Sequence, residues 1–205
     1  MKERPILFSG EMVRAILEGR KTMTRRVIKP QPTAPEFFGW CSEPNDKRYG
    51  QVSFGKNCMI SSWAKNPYGQ PGERLWVQEP AYIHNPPNER EPNGCVYYVA
   101  DIGLGGAGCP SPAMFIPRWA SRITLEVVSV RVERVQDISE EDAKAEGVEL
   151  DPRLEGYYRD YLDQKPRSTA RESFLTLWDS INAKRGYGWD ANPWVWGVEF
   201  KKAEE

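Results

Sequence analysis

The segment Arg122-Ile123-Thr124-Leu125-Glu126-Val127-Val128-Ser129-Val130-Arg131-Val132 decides the class of fold. Apolar residues alternate at Ile123, Leu125 and Val127, and the phase then shifts to Val128, Val130 and Val132. Side chains along a strand alternate between faces, so one long strand carrying a bulge at the shift accounts for both halves. Downstream, Ser139 reads as the N-cap of a short helix over 137–147, with Glu140, Glu141 and Asp142 in its first turn and Gly147 at its stop. A second helix is expected over about 169–184, where Phe174, Leu177, Trp178 and Ile181 share a face. A final strand over 194–201 places Trp194, Trp196, Val198 and Phe200 on one side, which reads as core.

Upstream of the long strand, residues 6–8 form a short strand and Ser9 caps a helix presenting Met12, Val13, Ile16 and Leu17, with Gly19 as its stop. Val27 and Ile28 suggest another extended piece, closed by Pro30, Pro32 and Pro35. Residues 31–57 carry Phe37, Phe38 and Trp40 among Gly, Pro and Asn, so the expectation is an ordered loop packed on the domain. Further strands are expected at 58–63, 75–78 after the turn Pro71-Gly72-Glu73-Arg74, and 95–100; the Gly-rich run 103–108 is a loop. Strands outnumber helices without a strand–helix repeat, which argues against a doubly wound parallel sheet. The expected class is α+β, mainly β: a small mixed, mostly antiparallel barrel with flanking helices, formed by residues 1–205 as one domain.

Composition removes several functions. Lys and Arg total 28 against 29 Asp and Glu, so a net charge of −1 gives no global attraction for nucleic acid, and any such attraction is local. There is no run of 18 apolar residues, and the chain reads as cytoplasmic with no membrane partner. Cys41, Cys58, Cys95 and Cys109 are far apart with no C-x-x-C pair, which favours free thiols over a zinc site. His84 is the sole histidine and sits in His84-Asn85-Pro86-Pro87, a poor setting for a Ser-His-Asp triad.

Two segments look chemical. Gly19-Arg20-Lys21-Thr22-Met23-Thr24-Arg25-Arg26 follows a helix stop, and no acidic residue occurs between Glu18 and Glu36. Arg20, Thr22, Arg25 and Arg26 are candidate anion ligands; a solvated basic turn has the same composition. Glu146 closes the acidic helix, where a carboxylate opposes the helix dipole, so it has no local reason to be there. A cleft in which Glu146 meets Lys21 would supply one. A lysine depressed by burial can deprotonate the Thr24 hydroxyl for attack on a carbonyl, with Glu146 orienting it or protonating a leaving nitrogen. An ionised Glu146 works against the neutral lysine, so it must be protonated, offset by arginines or turned to substrate.

The order strand, helix, Gly-Arg-Lys-Thr-x-Thr-x-Arg (19–26), Pro-Gly-Glu-Arg-Leu-Trp-Val (71–77), Ile-Ser-Glu-Glu-Asp-Ala-Lys-Ala-Glu-Gly (138–147) and Asn-Pro-Trp-Val-Trp-Gly-Val-Glu-Phe (192–200) resembles the ASCH domain of the PUA-like superfamily. The start Lys-Glu-Arg-Pro-Ile-Leu-Phe-Ser-Gly is similar to longer ASCH proteins of phages and prophages. The resemblance implies a PUA-like barrel whose cleft takes RNA or a modified nucleoside. Some small members are amidohydrolases of N4-acetylcytidine whose Lys, Thr and Glu correspond by motif position to Lys21, Thr24 and Glu146, without metal or cofactor. Others are RNA-binding modules or, as a third expectation, ribonucleases. This chain is longer than the small enzymes, with extra material near 31–57, 81–119 and 149–170. The last of these carries Tyr157, Tyr158 and Tyr161 with Arg153, Arg159 and Lys165, readable as a lid or nucleic-acid contact, though a solvated loop or short helix is the stronger expectation.

Overall fold

In the computed structural model, which describes residues 2–43, 45–85, 95–103, 108–163 and 165–203, Thr124–Arg134 is one 11-residue strand at the centre of a five-stranded sheet. In chain order the elements are β1 (Glu3–Leu7), α1 (Gly10–Leu17), β2 (Met23–Val27), β3 (Glu36–Trp40), β4 (Gln51–Lys56), β5 (Met59–Lys65) and β6 (Arg74–Gln78). Then come β7 (Ala81–Asn85), β8 (Cys95–Tyr98), α2 (Val99–Ile102), β9 (Thr124–Arg134), α3 (Glu140–Ala145), α4 (Ala170–Asn182) and β10 (Trp194–Lys202). The main sheet runs β1-β6-β9-β10-β2, parallel only between β1 and β6. The phase change read from the sequence is a bulge. Glu199 faces Ser129 and Phe200 faces Val127, so Val128 is the extra residue and is 43% exposed.

The bulge lets both halves of β9 contribute to one core. Leu125 and Val127 are buried beside Ile6, Leu75, Val77, Trp196, Val198 and Phe200, and Val130 and Val132 pack against the same cluster. All four residues of the expected inner face of β10 are in it. The opposite face of β10 gives Val195 to a second core with Ile138 and Ala143 from the α3 segment and Phe174 and Trp178 from α4. Ser9, Ser139 and Thr169 cap α1, α3 and α4 with their side chains, as residues of that type do when they accept an otherwise unsatisfied first-turn N–H. Among the described residues no helix is long and apolar enough to cross a membrane.

Two expectations need correction. Residues 31–57 pack on the domain but are not a loop: β3 and β4 lie there and join β5 in a three-stranded sheet. The alternation was hidden because the β3–β4 register slips between Phe37 and Gly39, and because Val52, Ser53, Phe54 and Gly55 are all buried, leaving no polar face. Phe37, Trp40 and Phe54 rest on Trp194 and Trp196, with ring centroids 5.3 to 6.5 Å apart. The strand expected over 95–100 ends at Tyr98 and turns into α2. Of the Gly-rich run, residues 104–107 lie outside the described residues.

The sheet is mixed and mostly antiparallel, with helices against it. No ladder among the described residues joins its edge strands β1 and β2 into a closed barrel. A side chain bridges them instead: Arg26 of β2 donates through Nη2 to the Leu7 carbonyl of β1, with its guanidinium 5.2 Å from the Phe8 ring centroid.

Candidate active site

The site begins where two helices end against each other. After α1, Glu18 is the C-cap and Gly19 takes a left-handed φ of 75°, which turns the chain so that the Lys21 N–H bonds the Ala15 carbonyl at 3.0 Å. The next N–H, of Thr22, bonds the Ala145 carbonyl of α3 at 2.9 Å. At the end of α3, Gly147 has φ 84°, and a Cβ there would lie 2.9 Å from Lys21 Cβ and 3.1 Å from Ala15 Cβ. Gly147→Ala is therefore expected to cost about 2 kcal/mol in a urea unfolding experiment, from the left-handed backbone and the contact together. A cost below about 0.5 kcal/mol would show that the helix ends separate freely.

This junction buries Lys21 to 2% exposure beneath Glu146, itself 5% exposed. Lys21 Nζ donates to the Glu146 carbonyl at 2.7 Å and to Oε2 at 2.8 Å. The position that looked unfavourable for a carboxylate at a helix C-terminus is thus explained by a partner 125 residues away. Burial pushes the Lys21 ammonium below the usual lysine range; Glu146 opposes that shift, and Arg26 and Arg25 reinforce it.

Arg25 braces the carboxylate from the other side. Its Nη1 lies 3.4 Å from Glu146 Oε1, its Nη2 2.6 Å from Asp142 Oδ2 and 2.7 Å from Glu133 Oε1. Arg131 also donates to Asp142 Oδ2, at 2.7 Å. The register makes this possible, since Gly197 of β10 stands between Arg25 of β2 and Arg131 of β9. A Cβ on Gly197 would approach Glu133 Oε1 to 3.1 Å, so the missing side chain leaves room for the charged cluster.

Two adjoining cavities meet at Glu146. The larger, about 920 Å³, lies between the start of α1, the end of α4 and the segment 147–162; the smaller, about 250 Å³, runs along β2 beneath α4. Met12, Arg26, Glu146, Leu177, Ile181 and Arg185 line both. Thr24 lines the smaller cavity, and its hydroxyl has no hydrogen-bond partner among the described residues. Lys21 lines neither cavity and makes no hydrogen bond to Thr24; Glu146 is what connects them.

The anion candidates separate. Arg25 faces the smaller cavity but is neutralised by Glu133, Asp142 and Glu146, whereas Arg26 lines both cavities. Arg20 is occupied by Glu18 at 2.7 Å and the Gly147 carbonyl at 3.3 Å, and Thr22 is exposed; neither lines these cavities. His84 lies on β7, its ring 5.4 Å from that of Tyr97, outside both. All four cysteines are free.

The sequence matches no protein-family model and no curated protein. The chain is similar to a solved structure, that of protein EF3133 from Enterococcus faecalis V583, of family model DUF984, aligned over 99% of this chain and 82% of its own with 10% identity and a TM-score of 0.41.

Of the residues that complete the walls, sequence reasoning singled out Arg153, Arg159 and Tyr161 and missed Glu149, Asp151 and Asp160. The insertion near 149–170 supplies Glu149, Asp151, Arg153, Arg159, Asp160 and Tyr161 to the larger cavity. Ion pairs Arg153–Asp151, Arg159–Glu149 and Arg167–Asp160 brace it. Side-chain and backbone bonds from Arg153 draw the Asp151 carboxyl down to about 2, and Asp160 accepts from the Leu162 and Asp163 N–H groups and from Arg167. The closely spaced Asp and Arg residues were a signal for such self-pairing, which the tyrosines drew attention away from.

Proposed function

We propose that the chain is an ASCH-type, PUA-like amidohydrolase acting on an N4-acylated cytosine nucleoside or a related modified base. In this reading the barrel is left open between β1 and β2, where Arg26 bridges to Leu7. The observation that carries the proposal is the buried Lys21–Glu146 pair, presented through Glu146 to a cavity that Thr24 also lines. Burial disfavours separated charge, so the pair can exchange a proton to become neutral amine and carboxylic acid. Lys21, which has no direct hydrogen bond to Thr24, then accepts the Thr24 proton through one bridging water as Oγ1 bonds to the acyl carbon, and the Glu146 acid delivers its proton to the departing cytosine nitrogen as the C–N bond breaks. A second exchange within the pair repeats the cycle with water, which releases the acid and restores Thr24. The route calls on no metal.

Incubation with N4-acetylcytidine in the presence of chelator should yield cytidine by chromatography, and Lys21→Ala should yield none. Equal turnover by the variant overturns the assignment. A second reading, a non-catalytic RNA-binding module, is favoured by the larger cavity, whose volume of about 920 Å³ exceeds what a nucleoside needs. No turnover, together with RNA affinity that falls steeply with salt, would establish it in place of the first.

A further inference from the structure

The smaller cavity has more positive charge than its walls can neutralise. Arg25, Arg26, Lys29 and Arg185 line it, and Glu146 is its one lining carboxylate among the described residues. Arg25 and Glu146 are committed to each other, to Lys21 and to the acidic residues behind them. Arg26, Lys29 and Arg185 form no ion pair with a carboxylate within the salt-bridge distance among the described residues. Arg26 gives Nη2 to the Leu7 carbonyl, while its Nε is buried with no hydrogen-bond partner among the described residues. An orphaned guanidinium N–H is destabilising unless a ligand accepts it.

We infer that Arg26, Lys29 and Arg185 form a phosphate site in the smaller cavity, beside Thr24 and Glu146, so that the ligand is a nucleotide carrying a phosphate and not a bare nucleoside. Three cations from two parts of the chain converge here: Arg26 from β2 with Lys29 just beyond it, and Arg185 from the helical turn after α4. Arg185 presses on Arg26 as a like charge, with Glu146 and Tyr68 opposing it. A phosphate between two guanidinium groups would turn that repulsion into charge-assisted hydrogen bonds, and guanidinium forks suit phosphate oxygens. Lys29 stacks its ammonium 5.4 Å from the Tyr187 ring centroid, which holds it over the cavity without neutralising it. The choice of a cytosine nucleotide rests on the proposed function; the phosphate site rests on the charges alone.

The test is calorimetric titration of the full chain with cytidine 5′-monophosphate, cytidine and inorganic phosphate. The monophosphate is expected to bind about 10-fold or more tightly than cytidine. Inorganic phosphate is expected to compete with it, and in Arg185→Gln the advantage of the monophosphate should shrink to about 2-fold. Arg185 is exposed and makes no hydrogen bond or ion pair among the described residues, so this variant tests the ligand and not folding; Lys29→Gln gives an independent second loss. Equal affinity for the two cytidine ligands, absence of binding by the monophosphate and phosphate alike, or an advantage unchanged in both variants overturns the inference. Monophosphate and phosphate binding by a protein that leaves both N4-acetylcytidine and its 5′-monophosphate intact would overturn the proposed reaction and leave the phosphate site standing.

Discussion

Glu146→Ala is expected to destabilise the protein by about 3 to 5 kcal/mol and to abolish turnover. The cost does not come from the strength of the ion pair as such. Bringing Lys21 and Glu146 out of water is expensive, and their mutual contact at 2.8 Å roughly repays it. Removing the carboxylate leaves an ammonium at 2% exposure with only the residue 146 carbonyl to receive it, next to Arg25 and Arg26. The sign of the pH response follows. A lysine whose pKa is lower in the folded chain than in the unfolded one carries a penalty that is complete below the folded value and fades as pH rises toward the ordinary lysine value of about 10.4. Glu146→Ala should deepen that penalty, so its deficit in urea unfolding should narrow between neutral pH and about pH 10. The double variant Lys21→Met with Glu146→Leu should recover most of the stability and none of the activity, because two packed apolar side chains replace two paired charges. A single variant within about 1 kcal/mol of the parent would show that water reaches the pair.

Thr24→Val should separate chemistry from folding. The hydroxyl has no hydrogen-bond partner among the described residues, so its loss strands nothing, and valine suits the strand position opposite Val198. Stability should stay within about 0.5 kcal/mol. Hydrolysis of N4-acetylcytidine should fall by about 10³-fold or more, as it does when a nucleophile is removed from a group that acts as a unit. Mass spectrometry of the parent protein quenched during turnover should find one acetyl group on the peptide containing Thr24. Undiminished turnover in Thr24→Val would assign the attack to water, with Glu146 as its base.

Much of this architecture was legible because local rules and tertiary packing agree. The shift of phase after Val127 located the bulge, Ser9, Ser139 and Thr169 marked helix starts, and Gly19 and Gly147 marked stops. Glu146 drew attention by breaking a local preference, and its contact with Lys21 is what the preference was exchanged for. What stayed hidden depends on neighbours distant in the chain. The rings of Trp194 and Trp196 cover one face of β3 and β4, and the register slip between Phe37 and Gly39 breaks the alternation. The link from Arg25 to Glu133 and Asp142 exists only once β2, β9 and β10 lie in register around Gly197. Arg185 follows a helix in an unremarkable run of Ala, Lys and Arg, and only the fold brings it to the cavity.

The short helix α3 is anchored at both ends. Its first residue, Glu140, accepts the Ala170 and Arg171 N–H groups at the start of α4, at 2.7 and 3.0 Å, and its C-cap is Glu146 itself. Inserting or deleting one residue between those anchors would rotate Glu146 by about 100° about the helix axis, away from Lys21. Natural and engineered variants of this chain should therefore keep a constant count from residue 140 to 147 while the segment 149–168 changes in length. That division separates a part of the sequence that measures distance from a part that can drift, and substrate preference is free to evolve in the second without recalibrating the first.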